Sequence, residues 1–399
     1  MNKSLSKLSQ IASRKERKII GLMSGTSMDG LDIALCSCKG SGTTTEARLL
    51  HFETIGYHDN FRSDIKSIFA KREVDLQQVC LLHELIGTKH AEMILSTLEK
   101  WHIQPKDVDL IASHGQTIFH APQRLHGLKS YPNATLQIGD GDHIAVKTGI
   151  ITLCDFRQKH VASGGEGAPL AVYGDYILFS QPTENRILLN IGGISNLTYL
   201  PADGNAHHVF STDIGPGNTL MDQYIQHHYP NLYFDKDGAM AKSGNTNELL
   251  LKELQNHPFF KIPFPKTTGP ELFNLSYLKN AQEQSNTVYL KSEDVLATLC
   301  RFSAQAIIHA LESNFKNLTN LHIYMSGGGI HHPLLIHQIN NAFPSINFKT
   351  TDSLGINPDA KEAVLFAILA NECVAADKQI DFGAQHGVPS ISMGKICIP

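Results

Sequence analysis

Between residues 18 and 57, apolar positions recur at every second residue in three short runs, separated by segments rich in glycine and hydroxyl side chains. That spacing predicts strands over 18–24, 31–38 and 48–57. Helical periodicity follows over 60–71 and 76–101, then a strand over 108–112, a short helix over 142–148, a strand over 151–156 and a helix over 168–179. The second half repeats the theme. Strands are predicted over 186–191, 195–200 and 208–213, then a helix from Asn218, helices over 246–255 and 291–313, a strand over 321–325, a helix from 333, a strand over 346–351 and a helix from 359. In each half three strands precede an alternation of strand and helix, an order that predicts a duplicated α/β fold with mixed sheets flanked by helices and a ligand cleft between the halves.

Two glycine-rich turns interrupt this pattern at places where chemistry is expected. The first, within 21–32, reads Gly-Leu-Met-Ser-Gly-Thr-Ser-Met-Asp-Gly-Leu-Asp between the first two strands. Gly25 and Gly30 let backbone N–H groups approach an anion, while Ser24, Thr26 and Ser27 add hydroxyls and Asp29 and Asp32 are suited to a magnesium ion held through water. The same residue types also build ordinary turns, so this segment alone leaves both readings open. The second, Ser-Gly-Gly-Gly at 326–329, lies between a strand and a helix, where a base or ribose can rest against the backbone and the helix N-terminus favours anions. Two such turns in opposite halves of one chain favour a nucleotide.

Composition narrows the class. With 399 residues, 42% hydrophobic and 18% charged, the chain is long enough for two cores, and a net charge of −4 gives no footprint for nucleic acid. Residues 1–17, with Lys3, Lys7, Arg14, Lys15 and Arg17, read as a flexible basic tail, followed by no apolar run long enough for a signal or membrane segment. Seven cysteines at irregular spacing argue against a disulfide framework and for a cytoplasmic protein. Although 21 histidines are present, adjacent pairs such as His331-His332 point different ways along an element and do not suggest a zinc site.

The motifs in order, from Gly21–Asp32 through Ser-His-Gly-Gln-Thr (113–117), Asp-Phe-Arg (155–157), Gly-Glu-Gly-Ala-Pro-Leu (165–170), Asn-Ile-Gly-Gly-Ile-Ser-Asn (190–196), Thr-Asp-Ile-Gly-Pro-Gly-Asn (212–218), Ser-Gly-Gly-Gly (326–329) and Asn-Pro-Asp-Ala-Lys-Glu-Ala (357–363), resemble the 1,6-anhydro-N-acetylmuramic acid kinases. The resemblance implies a two-lobed actin-like ATPase fold, duplicated and ribonuclease H-like, with an interlobe cleft. The lobes are expected at 18–180 and 181–375, with 376–399 completing the first. It also implies ATP, magnesium, a cytoplasmic role in recycling cell-wall sugars and a homodimer, with no membrane or nucleic-acid partner.

By that resemblance the nucleotide is met by Gly25, Thr26, Ser27, Met28, Asp29, Gly30, Leu31 and Asp32, by Asn190, Gly192 and Gly193, and by Gly327, Gly328 and Gly329, with Asp32 serving magnesium. The sugar is met by His114, Gln116, Arg157, Gly215 and Glu362. In this substrate O6 is one end of an internal ether bridge, so water must attack the anomeric carbon as the phosphoryl group arrives, and a carboxylate must take the proton from that water. Asp213, ending a predicted strand at a Gly-Pro-Gly turn, is the expected base. Read without the family, Thr212, Asp213 and Asn218 merely cap the turn and helix; within it, capping falls to Asn218. Two other functions compete: a kinase for a related anhydro sugar such as levoglucosan, and an actin-like ATP-binding module without sugar turnover.

Overall fold

The computed structural model describes residues 2–25, 27–346, 348–383 and 387–399. The chain divides into two compact units, Met1–Phe179 with Gly355–Pro399, and Ser180–Leu354. In the first unit lie strands β1 (Glu16–Ser24), β2 (Gly30–Lys39), β3 (Glu46–Gly56), β4 (Leu110–Ala121), β5 (Ala134–Ile138) and β6 (Ile151–Cys154). The second holds β7 (Asn185–Ile191), β8 (Ile194–Leu200), β9 (Phe210–Pro216), β10 (Leu321–Ser326) and β11 (Phe348–Thr350), and β12 (Lys395–Cys397) returns to the first.

The first sheet runs β12-β6-β4-β1-β2-β3 with β5 paired to β4, and the second runs β11-β10-β7-β8-β9. In each, the first three strands are antiparallel neighbours, and two later strands add in parallel one after the other beyond the free edge of the first, β4 then β6 in one sheet and β10 then β11 in the other. The repeated strand order is the duplication that the hydrophobic pattern predicts. Each sheet has its own apolar core. In the first, Ile20, Leu22, Leu31 and Ile33 face Ile86, Ile94 and Leu98 of the helix Leu76–Lys100; in the second, Ile187, Leu189 and Leu197 pack with Leu296, Leu299 and Phe302 of the helix Ser292–Phe315.

The boundary between units differs from the sequence expectation, because the chain returns to the first unit before the helix Lys361–Ala375 rather than after it. That helix lies against β1, β2 and β4. Gly21 is what admits it: a Cβ there would stand 1.9 Å from the carbonyl oxygen of Ala363. Glu362 thereby joins the unit that holds the first glycine turn.

Residues 2–17 are likewise not a loose tail. Asn2 caps a helix over Lys3–Ala12, accepting from the N–H of Ser4 at 2.8 Å, and Ile11 is fully buried. Arg17, 2% exposed, donates to Asn371 Oδ1 at 2.7 Å and to the carbonyls of Arg14 and Gly40, each at 2.6 Å. Neighbouring Glu372 accepts from the Gly42 N–H and the Thr45 hydroxyl, each at 2.6 Å. A buried cation so fully bonded fixes the segment around it, and the basic count alone gave no sign of that role. Among the described residues, no helix is long and apolar enough to cross a membrane.

Candidate active site

The glycine turn between β1 and β2 is held from beneath by buried side chains. Gln116, fully buried, accepts from the Ser24 hydroxyl at 2.5 Å and donates to the Gly25 carbonyl at 3.1 Å. Gln116 is therefore committed to the turn rather than presented to a sugar. Met28 adopts φ of 53° and Leu31 continues β2, and both side chains lie in the core, so these two offer a ligand only their backbone. Thr26 lies outside the described residues. At Gly25 the nearest atom to a built Cβ is Ser27 Oγ at 3.5 Å, an open face that matches an approach path for phosphate. Gly30 is required by packing instead, since a Cβ would stand 2.5 Å from the Ile55 carbonyl oxygen.

Acidic groups gather beside this turn. Asp32 accepts from the Thr54 hydroxyl across the β2–β3 pair at 2.6 Å, and exposed Asp29 accepts from Ser27 Oγ at 2.7 Å. Burial, reinforced by the negative charges of Asp29, Glu362 and Asp359, pushes the Asp32 carboxyl up to about 6. A carboxyl withdrawn from water beside like charges shows this behaviour.

His114, Arg157 and Glu362 are brought together in the same unit, but not as three equal ligands. The His114 ring, 3% exposed, donates from Nδ1 to the Gly115 carbonyl at 2.9 Å and accepts at Nε2 from Arg157 Nε at 3.0 Å. Both ring nitrogens are occupied, and burial together with the Arg157 charge holds the imidazole neutral, well below its usual range. His114 thus orients Arg157 instead of reaching a sugar hydroxyl. Arg157 also donates from Nη1 to the Gly167 carbonyl at 2.6 Å, while Nη2 bonds to no described residue. Glu362 is exposed at the start of its helix, and desolvation by surrounding protein raises its carboxyl against the opposing pull of Lys361 and Arg157. Asn357 Oδ1 accepts from the Asp359 N–H at 2.9 Å one turn ahead of that helix, which begins at Lys361 and not at the expected 359.

The loop that carries the Gly167 carbonyl is pinned by His160, fully buried, whose Nδ1 accepts from the Gly167 N–H at 3.0 Å. Burial lowers its pKa to about 4. Because the unfolded chain protonates this ring near 6.5 and the folded chain near 4, stability is intact above 6.5 and is lost as pH falls toward 4. His160→Gln retains an acceptor without a titrating ring. Urea unfolding at pH 7.5 and pH 4.5 should then show the wild type losing about 2 kcal/mol more than the variant. Equal losses would show that His160 titrates normally.

In the second unit Asp213, half-buried on β9, accepts at Oδ2 from the Thr268 N–H at 2.8 Å, and its own N–H donates to the Lys266 carbonyl at 2.9 Å. Gly215, two residues on, is buried against Phe260, whose ring would be 3.2 Å from a Cβ, so packing explains it. The turn Gly192–Gly193 is locked to the next loop, with the N–H of Asn218 donating to the Gly192 carbonyl at 2.9 Å and that of Thr219 to the Gly193 carbonyl at 3.0 Å. The Asn218 side chain caps nothing, contrary to expectation. Its Oδ1 is buried with no partner among the described residues, as are Ser195 Oγ and Thr268 Oγ1. Of the three glycines after β10, Gly327 is needed for its φ of 83° beside Asn190 Oδ1, and Gly329 packs on Ile191. Gly328 alone faces open space, 3.8 Å from Asn218 Nδ2.

The profile described as anhydro-N-acetylmuramic acid kinase matches residues 17–378. A curated protein of that name from Pseudoalteromonas atlantica is 56% identical over 100% of both chains. The chain belongs to the anhydro-N-acetylmuramic acid kinase family. Further members include one from Pseudoalteromonas translucida, 52% identical over 99% of both chains, and one from Caldanaerobacter subterraneus subsp. tengcongensis, 38% identical over 99% of this chain and 100% of its own. A match of this extent covers both units and every motif of the anhydro-N-acetylmuramic acid kinase reading.

Sequence reasoning missed Thr268, whose N–H meets the Asp213 carboxylate only through a contact made by folding. Thr268 lies 55 residues from Asp213, and nothing in its surroundings marks it. The unpartnered side chains of Ser195 and Asn218 do stand inside quoted motifs, yet only the structure distinguishes them from turn formers.

Proposed function

We propose that this chain uses ATP to phosphorylate O6 of 1,6-anhydro-N-acetylmuramic acid while water opens the anhydro ring, giving N-acetylmuramic acid 6-phosphate and ADP. The observation that carries this reading is a half-buried carboxylate, Asp213, oriented by the Thr268 N–H. Asp213 takes a proton from water, the water oxygen bonds to the anomeric carbon, and the bond from that carbon to O6 breaks. O6 then accepts the γ-phosphoryl group and ADP departs. In the first unit the open face at Gly25 leaves backbone for phosphate. In the second, the open face at Gly328 leaves backbone for a nucleotide, the orphaned Ser195 Oγ is suited to donate to phosphate, and Asn218 Oδ1 is suited to accept from a ribose hydroxyl.

Magnesium fits the acidic group at the first turn. Among the described residues no three of His, Cys, Asp and Glu gather as an all-protein metal cage. Magnesium instead favours one or two carboxylates completed by water and phosphate oxygens, which matches Asp32 with Asp29 nearby. When bound, it would neutralise phosphate charge; Asp32 would hold it. Asp32→Asn should weaken ATP binding only when magnesium is present, whereas Gly25→Val should weaken it with or without the metal by filling the open face. ATP affinities unchanged in both variants, read by calorimetry, would remove the turn from the nucleotide site.

All seven cysteines are unbridged, which supports a cytoplasmic setting in the recycling of cell-wall sugar. A homodimer is part of the same proposal, and sedimentation at assay concentrations tests it. ATP consumption with anhydro-muramate, compared with levoglucosan and with no sugar, separates this function from the two competing ones.

A further inference from the structure

Behind the first glycine turn runs a file of hydrogen bonds whose direction is fixed by counting protons. Gln116 Nε2 donates to two carbonyls, Gly25 at 3.1 Å and Thr117 at 3.4 Å, so the amide orientation is set and Oε1 must be the atom facing Ser24. The Ser24 hydroxyl gives its one proton to that oxygen at 2.5 Å. Ser24 Oγ therefore accepts from the Tyr57 hydroxyl, 2.9 Å away. With the Tyr57 proton spent, the 2.8 Å contact to His90 Nε2 has one solution: the ring donates. His90 is thereby the Nε2–H tautomer, and its Nδ1 lies buried without a partner. Burial holds the ring neutral, with its pKa lowered to about 4.

Every member is withdrawn from solvent: His90 and Gln116 are 0% exposed, Ser24 1% and Tyr57 8%. Buried polar files of this kind have no competing partners, so each bond enforces the next. The backbone of Tyr57 adds a second tie, its N–H donating to the Asp29 carbonyl at 3.0 Å. The turn is thus gripped at Gly25 through the Tyr57 hydroxyl and at Asp29 through the Tyr57 backbone. Both grips hold carbonyl oxygens toward the protein. A carbonyl released from Gln116 would be free to turn its negative end toward an incoming phosphate.

We propose that Tyr57 and His90 are positioning residues for the phosphate turn, acting through Ser24 and Gln116 to keep the Gly25 carbonyl turned away from the nucleotide. The inference rests on the reading of that turn as the site of the ATP phosphates. It assigns a function to one face of the helix Leu76–Lys100, which supplies the terminal donor from beneath the sheet.

Tyr57→Phe tests it with little disturbance to packing, because the ring, edge-on to Phe61 at 4.9 Å between centroids, is retained while the hydroxyl is lost. The expected result is a KM for ATP raised about tenfold, with the KM for the sugar within twofold of wild type, one broken charge-adjacent bond being worth that order. His90→Leu, which removes the donor, should shift the ATP KM in the same direction, and His90→Gln, which restores an N–H, should return it toward wild type. These two variants keep the proposal testable if Tyr57→Phe folds poorly. A Tyr57→Phe or His90→Leu protein whose ATP and sugar KM values rise together, or which loses thermal stability alone, would overturn it, as would equal kinetics for His90→Gln and His90→Leu. Gly25→Val is measured in parallel. If it weakens ATP while Tyr57→Phe does not, the positioning role fails and the phosphate turn stands; if neither changes ATP binding, the phosphate turn itself is wrong.

Discussion

Asp213→Asn is expected to lower turnover by about two to four orders of magnitude, the usual contribution of a general base, with folding and ATP affinity preserved. The substitution is nearly isosteric, and an amide oxygen can still accept the Thr268 N–H now bonded to Oδ2 at 2.8 Å. What it removes is the capacity to take a proton. A simple sugar kinase would need that capacity to activate a substrate hydroxyl; in the proposed reaction the proton comes from water, and this difference is measurable. In heavy-oxygen water the label should appear on the anomeric hydroxyl of the product, since the bridging oxygen itself becomes the phosphate ester. Product is examined early because that hydroxyl exchanges slowly through ring opening. Label in the phosphate would mean that water attacks ATP and that Asp213 serves an ATPase.

The repeated strand order was legible because period-two alternation is dictated by a sheet with one buried face, and both halves carry it. β5 and β12 were not. β12 is a short strand added at the sheet edge beside β6, and β5 pairs with the far end of β4, Gln116–Ala121, so in each case the pairing partner rather than its own sequence makes it a strand. The end of β4 was missed for a related reason. The predicted strand stops at residue 112, yet β4 continues through Ser113–Thr117 to Ala121, with Gly115 at φ of 70° where a Cβ would stand 2.5 Å from the Ile138 carbonyl of β5. That continuation is what turns Gln116 inward to the first glycine turn and seats His114 under Arg157. The motif was visible in the sequence; whether its side chains face a ligand or support other side chains depends on strand register, which a local reading does not contain. The first seventeen residues fail in the same way, since Arg17 is distinguished from its exposed basic neighbours only by partners more than 20 residues away.

Arg157 should separate the muramate substrate from anhydro sugars that lack the lactyl carboxylate. Two of its donors are already committed, Nε to His114 and Nη1 to Gly167, which fixes the guanidinium plane and leaves Nη2 without a described partner. Burial lowers its pKa only to about 10, so it remains charged at neutral pH. A fixed cation with one unspent donor suits a carboxylate, and losing one such charge-assisted bond costs about 1–3 kcal/mol, a factor of roughly 5 to 150. Arg157→Met is therefore expected to lower kcat/KM for anhydro-muramate by about that factor, while kcat/KM for levoglucosan changes little. The comparison is a cycle: any harm done to the His114 ring or the Gly167 loop is present with both sugars and cancels in the ratio. An equal fall with both substrates would assign Arg157 a structural role and leave the carboxylate to another residue. Conversely, a wild-type enzyme equally efficient on both sugars would show that no group in the site reads the carboxylate, and the levoglucosan reading would then take precedence.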